Sequence, residues 1–260
     1  MSRAATLLGV VGAIVLGWAA VVARAQDNPV LTPVPKACEV PGETVIAASP
    51  LPNVATALRD RKKITILTIG STAAAVRGPG AYYAVVEQVL EATFKGLDVE
   101  VINRGVSGEL AADAAERIKT EVSLTNADLV LWQLGTADAL AQVPVADFYV
   151  TVTDAVTWLK EHKIDVILVG LRYSKAMSKD LQYQAFRAAI KEIANQQNVL
   201  RFGRYEAEET LERIRREQGT PMSEAAATES SYVCMAEYLA RAIAVGLFAR
   251  TPPKPAPSRN

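Results

Sequence analysis

The chain has 260 residues, with 28 Lys and Arg against 28 Asp and Glu, a single His and two Cys. A formal net charge of zero lacks the basic excess on which nucleic-acid binding rests, and one His with two Cys cannot furnish a zinc site built from three or four such ligands. Half the residues are hydrophobic and 22% are charged, which is enough apolar side chain for one sizeable core and points to one globular domain.

Residues 1–25 open with Met1-Ser2-Arg3, run uncharged and mostly apolar from Ala4 to Ala23, and end Ala23-Arg24-Ala25 before the polar Gln26-Asp27-Asn28. A short positive start, a hydrophobic stretch and a small-x-small site form a secretory signal, with cleavage expected after Ala25. The run also has about the ~20 residues that span a bilayer, so a retained anchor is the alternative. Under either reading the domain is periplasmic or secreted, and membrane contact is confined to this segment if it is uncleaved. In an oxidising compartment Cys38 and Cys234 are expected to pair. That disulfide would tie the leading segment to the last helix and be worth ~4 to 5 kcal/mol in the chain-entropy model.

Residues 26–62 carry Pro29, Pro33, Pro35, Pro41, Pro50 and Pro52 with little regular period, and read as a Pro-rich leader wrapped on the surface. From 63 to 250 the pattern alternates. Strands are expected at Ile64–Ile69, Val99–Asn103, Leu129–Gln133, Asp165–Val169 and Val199–Phe202. Helical patterns cover Tyr82–Phe94, Ala111–Glu121, Phe148–Glu161 and Leu181–Asn195, and two more, Ala207–Gln218 and Tyr232–Leu247, close the domain. Such alternation implies an α/β three-layer sandwich, a five-stranded parallel sheet of flavodoxin-like type with helices on both faces. Its crevice should lie at the carboxyl ends of the strands. In the charged helix, Glu209 with Arg213 and Glu212 with Arg216 stand four apart in favourable order and mark a solvated face. Residues 251–260 form a Pro-rich tail expected to be disordered.

Three loops at strand ends now stand in a known order: Ile69-Gly70-Ser71-Thr72, Asn103-Arg104-Gly105-Val106-Ser107-Gly108 and Leu134-Gly135-Thr136-Ala137-Asp138. With the approach Asp128-Leu129-Val130-Leu131-Trp132-Gln133 and the closing Tyr232-Val233-Cys234-Met235-Ala236, the stretch from Ile64 to Leu247 resembles the SGNH/GDSL hydrolase family. Cys38 resembles a cysteine of some secreted members.

The resemblance implies ester hydrolysis by a serine nucleophile, a histidine base oriented by an aspartate, and an oxyanion hole of backbone amides with an asparagine side chain. In the usual register Gly70 keeps its place, Ser71 falls on the aspartate and Thr72 on the nucleophile, while a one-residue shift makes Ser71 the nucleophile. Gly105 matches a backbone oxyanion donor. Ala137 falls on the asparagine, and the closing Asp-x-x-His falls on Ser223 and Ala226, so those functional groups are missing. The one histidine, His162, precedes the fourth strand, on the edge opposite the crevice, and reads as a surface residue at a helix end.

A hydroxyl without a base is a poor nucleophile. Removing triad members costs up to ~10⁶ in turnover, and losing one oxyanion donor ~10² to 10³. The leading expectation is therefore an extracytoplasmic protein of this family, catalytically impaired, that binds a ligand or partner. The first alternative is an atypical serine esterase acting on acyl esters or O-acetylated carbohydrate, with Asp138, Glu224 or Glu229 as base on Ser71 or Thr72. The second is a membrane-anchored structural envelope component. Asp138 is a further pocket candidate, although a loop carboxylate more simply serves solvation. Arg77-Gly78-Pro79-Gly80 is a weak anion cradle and more simply a loop, and Trp132 and Trp158 are expected in packing. No cofactor or metal is implied. A small-molecule ester or carbohydrate is the expected class of ligand, and no feature identifies a protein partner.

Overall fold

The computed structural model describes residues 33–39, 46–47, 49–70, 82–219 and 224–249, with backbone alone for 46–47 and 224–230. Residues 1–25 and 251–260, expected as a signal or anchor and as a tail, lie outside the described residues.

Five parallel strands carry the sheet: β2 (Lys63–Gly70), β3 (Asp98–Asn103), β4 (Leu129–Gln133), β5 (Asp165–Val169) and β6 (Leu200–Phe202). A two-residue strand β1 (Ile46–Ala47) pairs antiparallel with β6, giving the order β1-β6-β5-β4-β2-β3. The expected five-stranded parallel sheet thus gains a short antiparallel edge.

The central strands are buried along nearly their whole length and mostly apolar because helices cover both faces. Alternate residues divide them. Leu67, Ile69, Val130, Trp132, Val166 and Leu168 face α3 (Ala111–Thr125), α5 (Val145–Glu161) and α6 (Leu181–Gln197). Ile64, Ile66, Leu129, Leu131, Ile167 and Val169 face α1 (Pro52–Arg61), α2 (Tyr82–Thr93), α7 (Arg204–Gln218) and α8 (Glu224–Phe248). A short helix α4 (Thr136–Leu140) follows β4 directly.

Helix α1 falls inside the stretch read as an irregular leader. Pro52 stands at its first position, where a missing N–H costs nothing. Leu51 at its N-cap offers no side-chain bond, and the buried Asp165 of β5 supplies the cap instead. Its carboxylate accepts from Asn53 N and Val54 N, both at 2.9 Å, and from Asn53 Nδ2 at 2.8 Å.

Helix α7 exposes the charged face expected of it and buries the opposite one. Arg216 pairs with Glu212, but Arg213 reaches Glu217, and Arg204, Tyr205, Ala207, Thr210 and Leu211 are buried. Segment Ser231–Phe248 of α8 is long and apolar enough to cross a membrane, yet it packs into the core. Cys234 on this helix is bonded to Cys38 across 196 residues, and the Tyr238 hydroxyl donates to the Cys38 carbonyl.

Candidate functional site at the carboxyl edge of the sheet

Strand β2 has β3 on one side and β4 on the other, so the chain changes direction there, and the crevice of such a sheet opens at the carboxyl ends of these strands. Gly70 ends β2 opposite Gln133, with φ +94°, and a Cβ on it would meet the Gln133 carbonyl oxygen at 2.0 Å. Only glycine lets the two strand ends approach so closely. Gly135 has φ +91°, where a Cβ would sit 2.7 Å from Leu171 and 2.9 Å from Ile190.

The loop after β3 closes over the end of β2. Arg104 N donates to Thr68 O at 2.9 Å, and Val106 N donates to Gly70 O at 3.1 Å. The buried Glu109 carboxylate in turn accepts from Gly70 N at 3.1 Å and is ion-paired with Arg117. The Gly105 amide, the expected oxyanion donor, donates to Asn103 Oδ1 at 3.0 Å, an oxygen that also accepts from the Thr68 hydroxyl at 2.9 Å. Gly105 N–H therefore has an internal acceptor.

Ala137 sits half-buried in the first turn of α4 and offers no donor at the asparagine position. Asp138 beside it is buried, and its two oxygens accept from Ala111 N at 2.8 Å and Gly135 N at 3.0 Å. Burial raises its pKa while those amides oppose the rise. The carboxylate clamps the starts of α3 and α4 together, a structural use that occupies both of its oxygens.

Ser71 and Thr72, the two alternative nucleophiles, and Ser223 lie outside the described residues, as does Arg77-Gly78-Pro79-Gly80. Ala226, Glu224 and Glu229 lie in the first turns of α8, described by backbone alone. His162 caps the C-terminus of α5 just before β5, at the opposite edge of the sheet. It is exposed, its Nδ1 donates to the Trp158 carbonyl at 2.8 Å, and its ring stacks on Trp158 with centroids 3.9 Å apart. Trp132 is fully buried in the sheet core, while Trp158 is partly buried against it.

A second set of side chains at the same edge went unnoticed in the sequence. Arg204, two residues past β6, is buried, and its Nε donates to Glu208 Oε1 at 2.8 Å. Glu208 Oε2 accepts from Tyr173 N at 2.7 Å. Burial works against the Arg204 charge, but Glu208 outweighs it and holds the pKa above its ordinary value. Arg172, three residues past β5, has its backbone held from both sides. Its N–H donates to Thr136 Oγ1 at 3.1 Å and its carbonyl accepts from the Tyr183 hydroxyl at 2.6 Å. Burial raises the pKa of the Tyr183 phenol, and the nearby Thr136 hydroxyl opposes the rise. The Arg172 guanidinium carbon lies 5.9 Å from the centroid of the Tyr232 ring, which meets Tyr82 edge to face at 6.5 Å. The signal for these residues was positional: a charged side chain within three residues of a parallel strand's carboxyl end.

A parallel sheet covered on both faces, with glycine turns at its switch point, is the frame of the SGNH/GDSL hydrolase class. Residues 37–248 match the family model described as the Non-GDSL lipase-like family, and the chain belongs to that family. Among solved structures it is similar to a catalytic mutant of Axe2, an acetylxylan esterase from Geobacillus stearothermophilus. The TM-score is 0.55 at 20% identity, covering 69% of this chain and 94% of that one. It is also similar to a putative lipolytic protein of the G-D-S-L family from Desulfitobacterium hafniense DCB-2, with TM-score 0.51, 19% identity and coverage of 68% and 98%. At these identities the likeness shows the fold. No curated protein sequence matches the chain.

Proposed function

We propose that this chain is an extracytoplasmic member of its family that has lost ester hydrolysis and binds a small ligand in the crevice. The position of the one imidazole carries the reading: His162 lies at the opposite edge of the sheet, bonded to a backbone carbonyl and stacked on Trp158. A hydroxyl nucleophile needs a base to take its proton, and the carboxylate nearest the third loop, Asp138, has both oxygens occupied by amides. The Cys38–Cys234 disulfide and the apolar run from Ala4 to Ala23 support an oxidising compartment.

The test is hydrolysis of p-nitrophenyl acetate and of an acetylated sugar by the purified protein, beside Ser71→Ala and Thr72→Ala. All three are expected at background rate, since losing triad members costs up to ~10⁶. Turnover that disappears in one variant would overturn the reading, identify the nucleophile and establish the atypical esterase instead.

A further inference from the structure

We infer that the crevice holds a site for a single carboxylate, received by Arg172 beside Thr136 and Tyr232; this rests on the crevice being a binding site. The carrying observation is an uncompensated charge. Arg204 is matched by Glu208, whose two oxygens are both engaged. Arg172 is half-buried, its Nε is shielded from solvent without a hydrogen-bond partner, and no carboxylate pairs with it among the described residues. A guanidinium nitrogen shielded from water without an acceptor is costly, and a ligand carboxylate would supply that acceptor.

The arrangement is also preorganised. Thr136 and Tyr183 fix the Arg172 backbone on both sides, so the side chain springs from a rigid point at the carboxyl edge of β5. With Arg204 neutralised by Glu208, Arg172 is the one unmatched charge of this described set, which suits a monoanion better than a dianionic phosphate. The planar fork of a guanidinium matches a carboxylate through two parallel bonds. The Tyr232 and Tyr82 rings beside it give an apolar wall for the body of the ligand, such as a sugar ring.

Calorimetric titration of the full chain at low salt with glucuronate, glucose and inorganic phosphate tests this. Glucuronate is expected to bind about tenfold or more tightly than glucose, and more tightly than phosphate. Arg172→Gln should abolish the preference over glucose, and Arg172→Lys, which keeps the charge without the fork, should retain part of it. Equal binding of glucuronate and glucose, absence of any binding, a preference for phosphate, or a preference unchanged in Arg172→Gln would each overturn the inference. Ester turnover measured on the same preparation separates the two readings. Turnover with an Arg172-dependent carboxylate preference overturns the loss of hydrolysis and leaves this site standing, whereas absence of both overturns this site alone.

Discussion

Buried and half-buried carboxylates in this protein hold backbone amides. Asp138 spans Ala111 and Gly135, Glu109 takes Gly70, Glu208 takes Tyr173, and Asp165 caps α1. Sequence marks such residues as solvated or catalytic, since an amide partner 112 positions away leaves no trace in spacing. Asp165 gives the sharpest consequence. Burial pushes its carboxyl up to about 6, against the pull of Val54 and Asn53, and the charge of Asp128 adds to the rise. The unfolded chain holds this proton only below about pH 4, so between about pH 4 and 6 the folded state binds more protons. Stability from this group is present in full below the lower value and is lost as pH rises through the upper one. The loss is on the order of 2 to 3 kcal/mol. Denaturant midpoints across pH 3.5 to 7 should show this slope in the wild type and lack it in Asp165→Asn; identical slopes would refute the assignment.

Elements with strong patterns were legible. Strands β4 and β5 stand at the expected residues, because runs such as Leu129-Val130-Leu131-Trp132 can be buried on both faces only in a covered parallel sheet. Helix α1 was missed because its prolines read as breakers, while its N-terminal cap comes from β5 and is invisible locally. Helix α4 has five residues, too few to show a period. Helix α7 reads as charged surface by composition, yet Arg204, Glu206 and Glu208 are tied inward, Glu206 to Arg187 and Arg201. The close approach of β2 to β4 yields a prediction at this scale. Gly70→Ala would place a Cβ 2.0 Å from the Gln133 oxygen at φ +94°. It should cost roughly 3 kcal/mol and loosen the crevice loops. Urea unfolding measures the cost, and faster hydrogen exchange at Val106, whose amide bonds to Gly70 O, would report the local loosening. A change under about 0.5 kcal/mol would show that the strands can part freely.

At the scale of the molecule, one covalent bond joins the leading segment to the last core helix. Cys38 and Cys234 are both buried, with Cα atoms 5.1 Å apart. Alkylation of the denatured, unreduced protein should label no thiol. Replacing both cysteines by Ser should lower unfolding free energy by up to ~4 to 5 kcal/mol, read from the urea midpoint. Unfolding curves that coincide would remove the bond as a source of stability. The sequence by itself determined the alternation of strand and helix, the parallel sheet, the cysteine pair, and the presence of a single histidine. These depend on local periodicity and on which residue types exist at all. Only the tertiary structure decided that Asp138 is a clamp, that α1 is capped from β5, and that Glu208 holds both Arg204 and the Tyr173 amide at the carboxyl edge of the sheet. Those outcomes depend on groups far apart in the chain, and the buried Arg172 Nε without an acceptor among the described residues is found only when partners are sought in space.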